Sequence, residues 1–377
     1  ADAVFFGDNP EKVKYERIYL ERFPLLKKAY ENSPFALVPE GKWQGTEYDE
    51  ARKALEDFIR DNAEWLPDYA LYSAVKNEND GKSYIEWPDE IRLRREEAMQ
   101  KAREELADEI RFYEFQQYLF AGQWKKLKTY ANEHGIQIIG DIPIYVAFDS
   151  ADTWSHPELF ELDEKGYPTV VAGCPPDGFS ATGQLWGNPI YRWSYHKETG
   201  YAWWISRIAN CFRMYDIVRI DHFRGFDEYY AIPYGDLTAE FGKWQPGPGI
   251  GLFEAIKDAL GEKQIIAEDL GLSHRPSGSW FRTADIRTCR FSSLLLMQES
   301  PERTIISRII TEETVWCTRE PMTMKPCAAG MGMLRSVTAC TQMITLALHL
   351  RRPQPGPLSV QPFCRLRIPA SSRCRTI

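Results

Sequence analysis

Apolar and charged residues alternate at helical spacing over the first third of the chain. In the segments 11–31, 48–80 and 89–135, apolar residues recur every three or four positions with charged residues between them. This period predicts amphipathic helices, and the last segment is long enough for two of them. Pro24 is expected to interrupt the first helix, because proline lacks the backbone N–H and crowds the preceding turn. Residues 1–135 are therefore predicted to form a mainly helical region.

After Gly135 the period changes to that of strands separated by helices. Strands are predicted at 136–146, 216–221 and 264–269, and helices at 201–215 and 251–261. This alternation is typical of a parallel sheet in an α/β fold. The long loop 148–193 follows the first strand, and in a (β/α)8 TIM barrel such loops build the active site. Residues 136–271 are therefore predicted to supply barrel strands and active-site loops.

Charged side chains stand where two of these predicted strands end. Arg219 and Asp221 are two positions apart, so they share one face of their strand. Glu268 ends the next strand, and neighbouring parallel strands would bring it to the same mouth as Asp221. Two carboxylates at one mouth fit glycoside chemistry, in which retaining enzymes hold them about 5–5.5 Å apart. A structural Arg–Asp pair and a helix-capping acid form the alternative interpretation.

The surroundings predicted for the two acids differ. Arg219, beside Asp221, would keep that carboxylate ionised. Glu268 follows the apolar run "IIA", whose low polarity would raise its pKa, as an acid catalyst requires. A metal site at Asp221 and His222 is disfavoured, because no third ligand lies at a useful spacing.

Composition narrows the class of protein. The chain of 377 residues is 44% hydrophobic and 27% charged, which is ordinary for a globular protein. No long uncharged apolar window predicts a membrane span, and the first residues show no secretory signal. The net charge of −8 argues against general nucleic-acid binding. The eight cysteines show no C-x-x-C pair, so a reduced, cytoplasmic protein is expected.

Four blocks of the sequence are similar to one known family. The blocks "GDIPIYVAFDSADTW", "PPDGFSATGQLWGNPIY", "VRIDHFRGF" and "IIAEDLG" resemble the 4-alpha-glucanotransferases (amylomaltases or disproportionating enzymes, glycoside hydrolase family 77 of the α-amylase clan). The likeness runs from about residue 1 to Gly271. It implies a (β/α)8 barrel with helical insertions, retaining chemistry and no organic cofactor. It also implies α-1,4-glucans and maltooligosaccharides as donors, with glucose or a glucan as acceptor.

The resemblance also implies roles for single residues. Asp221 would be the nucleophile, Glu268 the general acid/base and Arg219 the orienting arginine. The substrate-binding residues that it implies are His222, Trp186, Gln184, Asn188, Asp141 and Asp269.

Three of these substrate-binding residues have a simpler alternative. Trp186 is either a stacking platform on the acceptor side or a loop anchor packed on the barrel. His222 either contacts the sugar at the cleavage site or is a neutral structural histidine. For Asp269, a cap on the following turn is the better interpretation.

The chain departs from the family at both ends. The family has about two barrel strands before the helical region, and these are expected to be absent here. It also has a third acid in a His-Asp-Asn-type motif after the general acid, and no such motif follows Glu268 in this sequence. We therefore expect a truncated barrel and little or no turnover from this chain. An α-amylase-type glucan hydrolase and a catalytically dead glucan-binding fragment are the alternative functions.

Residues 272–377 differ sharply in composition from the rest. They hold 15 basic and 6 acidic residues, against 31 and 48 before them, and six of the eight cysteines but no tyrosine. Read two bases out of frame, the codons of Met322–Thr323 give an aspartate and those of Met324–Lys325 a glutamate. The segment 317–327 can therefore encode the missing third-acid motif in another frame. We predict a frameshift near Leu272, in the gene or in the sequence record, that replaces the C-terminal strands with a non-native tail.

Nucleotide sequencing across codons 265–330 checks this prediction. We expect an insertion or deletion near codon 272, with a family-like reading frame restored when it is corrected. An uninterrupted frame supported by independent clones of the locus would refute the frameshift.

Overall fold

The structure is a computed structural model that describes residues 12, 14–37, 43–178 and 180–269, together with the strand Arg287–Arg290. Side chains are described as far as Glu268. The α-helices are α1 (Tyr15–Glu31), α2 (Thr46–Asp61), α3 (Leu66–Glu78), α4 (Asp89–Arg92), α5 (Glu96–Glu105), α6 (Ala107–Glu133), α7 (Ala151–Ser155), α8 (Trp193–Glu198), α9 (Ala202–Met214) and α10 (Ile250–Leu260). The strands are β1 (Ile139–Pro143), β2 (Val170–Cys174), β3 (Gln184–Pro189), β4 (Ile217–Asp221), β5 (Glu228–Pro233), β6 (Lys243–Pro246), β7 (Ile265–Asp269) and β8 (Arg287–Arg290). Short 3₁₀ turns span Tyr84–Glu86, Pro157–Leu159 and Phe223–Phe226.

The predicted parallel sheet and the α/β class are confirmed. Strands β1, β4, β7 and β8 lie side by side in that order, and every neighbouring pair is parallel. Helices α9 and α10 lie before β4 and β7 in the chain, as the strand and helix pattern indicated. Strand β1 is shorter than the predicted 136–146. Strand β8 lies within the segment predicted to be a non-native tail; the rest of that segment lies outside the described residues, so the frameshift stays a prediction.

The sequence analysis did not predict a second, antiparallel sheet. Strands β3, β2, β5 and β6 form an antiparallel sheet in that order. Residues 148–193, predicted to be one long loop, contain α7, β2 and β3. The prediction was wrong because β2 pairs with β5, which lies about sixty residues further along the chain, and no local period announces such pairing.

The alternation along β4 separates an apolar side from a polar one. Val218 and Ile220 are fully buried and belong to a core cluster with residues of α9 and α10, including Trp204, Ile208 and Leu252. Arg219 and Asp221 alternate with them, and successive side chains of a strand point to opposite faces. Packing of the apolar side against the helices therefore commits the charged side chains to the other face of the sheet.

The helical region differs from its prediction in two details. Helix α1 runs through Pro24 without ending, although proline was expected to interrupt it. Tyr30 in its last turn is fully buried against Phe112 and Phe115 of α6, and this packing holds the helix where propensity alone would not. The segment 89–135 forms three helices rather than two.

Asp216 joins the helical region to the parallel sheet just before β4. One carboxylate oxygen accepts hydrogen bonds from Asn132 of α6 and from the backbone N–H of Ile138, both at 2.8 Å. Lys128 of α6 pairs with its other oxygen at 3.3 Å. These contacts set the starts of β1 and β4 side by side, and so align the ends that carry the charged residues. Within the described part of the chain, no helix is long and apolar enough to cross a membrane.

Replacing Ile208 by alanine is expected to destabilise the fold by about 2–5 kcal/mol, because it leaves a cavity in the core beneath the sheet. Ile208 is 0% exposed, whereas Leu127, also helical, is 54% exposed. Leu127→Ala serves as the matched control and should change the free energy of unfolding by no more than about 0.5 kcal/mol. Urea titrations followed by circular dichroism measure both; equal effects would contradict the described core.

Candidate active site

The C-terminal ends of β1, β4 and β7 bring four charged residues together. Asp141 of β1 is paired in register with Arg219 of β4. Ile220 of β4 is level with Ala267 of β7, so the next residues along, Asp221 and Glu268, lie at the same height. The sheet thus places one cation and three carboxylates at one edge.

Arg219 contacts all three carboxylates. Its side chain is only 3% exposed. One Nη atom donates to Asp141 at 2.5 Å and the other to Glu268 at 2.7 Å. The second Nη also lies 3.7 Å from an oxygen of Asp221. Burial alone would lower the pKa of Arg219, but its hydrogen bond with Asp141 and the three negative charges raise it, so the guanidinium stays protonated.

Glu268 lies in the environment expected of an acid catalyst. Its side chain is 10% exposed, against 37% for Asp221. Burial and then a hydrogen bond with Asp221 raise the pKa of Glu268 to about 7, against the opposing effects of the His222 N–H and Arg219. The separation of about 5–5.5 Å between the carboxyls that retaining enzymes need stays a prediction.

His222 turns the chain sharply after the first acid. Its backbone has φ of 51°, in the left-handed region that few residues other than glycine adopt. In this conformation its N–H donates to Glu268 Oε2 at 2.8 Å. Burial lowers the pKa of the His222 imidazole to about 4, so the ring is neutral at pH 7. A neutral ring agrees with both interpretations of this residue, the sugar contact and the structural one.

Strand β3 lies over His222. The Trp186 ring is edge-on to the imidazole, with 4.7 Å between centroids, and the tryptophan is 36% exposed. Its indole N–H donates to Gln184 at 3.1 Å. The Asn188 side-chain amide donates to the Val146 carbonyl at 2.8 Å, so it links β3 to the segment that follows β1. Trp186 and Gln184 remain exposed at the mouth.

Sequence reasoning missed Tyr145. Its ring centroid lies 6.4 Å from that of Trp186 and 6.5 Å from that of His222. No local period could indicate this contact, because β1 ends at Pro143 and the chain bends at Tyr145. The side chain of Asp269 lies outside the described residues. Across the ranges that the structure describes, no group of three or more His, Cys, Asp or Glu side chains is arranged to hold a metal ion.

Comparison with known proteins decides the family. The sequence model described as 4-alpha-glucanotransferase matches residues 3–287. The chain belongs to the 4-alpha-glucanotransferase family. A 4-alpha-glucanotransferase from Streptococcus pneumoniae serotype 4 is 49% identical over 271 residues, which is 72% of this chain and 51% of that protein. One from Clostridium butyricum is 46% identical over 267 residues, 71% of this chain and 52% of that protein.

Two solved structures are similar to this chain. An amylomaltase from Streptococcus agalactiae, in complex with acarbose, is 43% identical and superposes with a TM-score of 0.69 over 76% of this chain and 56% of that one. An amylomaltase from Corynebacterium glutamicum, 20% identical, shares the fold with a TM-score of 0.58 over 77% of this chain and 36% of that one. The chain spans about half the length of the curated relatives that it matches.

Glu268→Gln is expected to change how stability depends on pH. The pKa of Glu268 rises from 4.5 to about 7 on folding, so its protonated form is favoured in the folded state. The resulting stabilisation is complete below pH 4.5 and is lost as the pH rises through 7. The free energy of unfolding of the wild type should therefore fall, relative to Glu268→Gln, by about 1–3 kcal/mol between pH 4.5 and 8.

Urea titrations at several pH values measure this difference. Glu254→Gln, which removes one exposed carboxylate from α10, controls for the loss of a charge. Parallel stability curves for the wild type and Glu268→Gln would show that Glu268 is not in a desolvated site.

Proposed function

We propose that this chain carries the catalytic acids of a 4-alpha-glucanotransferase, which moves α-1,4-glucan segments to a sugar acceptor by a retaining double displacement. One observation carries the proposal. Asp221 and Glu268 lie level with each other near the ends of neighbouring parallel strands, and burial raises the pKa of Glu268 to about 7. Retaining glycoside chemistry needs one carboxylate that attacks and one carboxylic acid that donates a proton.

In the first displacement, Asp221 attacks the anomeric carbon of the donor. A bond forms between the carboxylate oxygen and that carbon, while the bond from the carbon to the glycosidic oxygen breaks. The proton of Glu268 passes to this oxygen, and the leaving sugar departs with a new hydroxyl group. Asp221 is the more exposed of the two acids, so it is the one that a sugar approaches directly.

In the second displacement, Glu268 acts as a base. Its carboxylate removes the proton from a hydroxyl of the acceptor sugar, whose oxygen attacks the anomeric carbon and displaces Asp221. Two inversions at one carbon restore the original α configuration. Arg219 lies 3.7 Å from Asp221 and 2.7 Å from Glu268, so its positive charge stabilises the carboxylate of Glu268 after the proton has left.

The substrate class is inferred from the relatives. The matched proteins are named 4-alpha-glucanotransferases, and the Streptococcus agalactiae amylomaltase binds acarbose. For this chain we propose α-1,4-glucans and maltooligosaccharides as donors and glucose or a glucan as acceptor. Exposed Trp186 supports this, because a flat ring at a mouth suits the face of a sugar. In the proposal Gln184, Asn188, Asp141 and His222 line the same mouth.

The finer architecture belongs to the proposal as well. We assign the parallel sheet to a (β/α)8 barrel with helical insertions, of which the described strands β1, β4, β7 and β8 are one arc. No His-Asp-Asn-type motif follows Glu268 in this sequence, so slow turnover is part of the proposal. The cytoplasmic location stays a prediction.

Maltotriose distinguishes the candidate functions. Transfer by the full chain should give glucose and a ladder of longer maltooligosaccharides, visible by chromatography at long incubation. Asp221→Asn should remove the ladder, with a loss on the order of 10³-fold or more, since the attacking group is gone. Asp258→Asn, which changes an exposed residue of α10, is the control and should match the wild type.

The other outcomes have definite meanings. Shorter products alone would identify a glucan hydrolase. Binding without any product, unchanged by Asp221→Asn, would identify a glucan-binding fragment and reject the transferase.

A further inference from the structure

The loop that joins β5 to β6, residues 234–242, folds back onto the antiparallel sheet. Its large apolar side chains lie outside, with Leu237 94% and Phe241 72% exposed. Ala239, between them, is 0% exposed. It belongs to a small core cluster with one residue of β2 and two of β5, namely Val171, Tyr230 and Ile232. The loop therefore places one small side chain inside the protein and leaves its large ones in solvent.

Ala239 also contacts the turn that leads into β3. Its backbone N–H donates to the carbonyl of Thr182 at 2.9 Å. The next residue, Gly183, lies so close that a Cβ built on it would be 2.8 Å from Cβ of Ala239 and 2.4 Å from the carbonyl oxygen of Cys174. Gly183 has φ of +70°, so both the space and the backbone conformation require glycine. The start of β3 is thus held between the end of β2 and Ala239.

Pairing with β2 leaves the position of Trp186 open. Val171 and Gly173 are two positions apart on β2, whereas their partners on β3, Pro189 and Leu185, are four apart. Trp186 lies in the resulting bulge, where the ladder between the strands is interrupted. A bulge of this kind aims a side chain, and its direction depends on how the flanking residues are fixed. The contact between Ala239 and Gly183 fixes one of these flanks.

We propose that Ala239 is a positioning residue, which holds the turn before β3 and so sets where Gln184 and Trp186 meet a bound glucan. This assignment rests on the proposed function, in which those two residues line the mouth. Each step of the connection is a bond or a contact: Gly183 lies against Ala239, Gln184 follows Gly183, and Gln184 accepts from the indole of Trp186. Holding the turn before the sugar arrives reduces the entropy lost on binding.

Ala239→Val tests this assignment, because it adds bulk where Gly183 leaves no space. Hydrogen–deuterium exchange on the full chain should show the amides of residues 180–186 and of residue 239 exchanging about fivefold faster or more, the effect of losing one local hydrogen bond. Isothermal calorimetry should show acarbose binding roughly three- to tenfold weaker. Ala239→Gly keeps the N–H and adds no bulk, so its exchange and its acarbose affinity should stay within about twofold of the wild type.

Two controls separate positioning from general instability. Leu237→Ala changes an exposed residue of the same loop and should match the wild type in both measurements. Leu55→Ala removes a buried side chain of α2, which is 2% exposed. It should lower the urea midpoint and leave the acarbose affinity unchanged. Equal weakening of acarbose binding in Leu55→Ala and Ala239→Val would reject the positioning role.

The remaining outcomes are also decisive. Wild-type exchange in Ala239→Val would show that Ala239 does not hold the turn. Faster exchange with unchanged acarbose affinity would show that the turn is held without positioning the sugar-binding residues, and this too overturns the assignment. If the wild type does not bind acarbose, the proposed substrate class is rejected, and the exchange measurement alone decides whether Ala239 holds the turn.

Discussion

The contact of Arg219 with three carboxylates is the constraint on which the site depends. Three carboxylates gathered at one sheet edge repel one another, and partial burial strengthens that repulsion. A buried guanidinium with donors in a fixed planar fork can satisfy several acids at once, which a lysine could not do with the same geometry. Arg219 lies on the polar face of the sheet because its neighbours Val218 and Ile220 are buried in the core on the other face.

The two acids differ because of what surrounds each of them. Glu268 is enclosed, and it accepts from Arg219 and from the N–H of His222. That N–H reaches it only because the chain takes a left-handed turn directly after Asp221. Asp221 stays more exposed at the end of its own strand. Asp221 and Glu268 are both carboxylic acids. Their environments differ because of the φ angle of His222 and the buried guanidinium of Arg219.

Sequence analysis predicted the strands that show a local alternation of residues. It missed the sheet whose strands are far apart in the chain. Alternation along 216–221 and 264–269 indicated two strands whose charged ends would meet, and β4 and β7 lie side by side as that requires. The antiparallel sheet escaped, because β2 meets β5 across a long separation. Pro24 was misread, because a packed partner outweighs the proline's own preference.

Unsatisfied polar atoms do not by themselves mark a binding site in this protein. Nδ1 of His196 and Nε1 of Trp204 are also buried without a partner among the described residues, but both belong to the aromatic cluster around Tyr191, away from the charged strand ends. Burial lowers the pKa of His196 to about 4, so its ring is simply a neutral core residue.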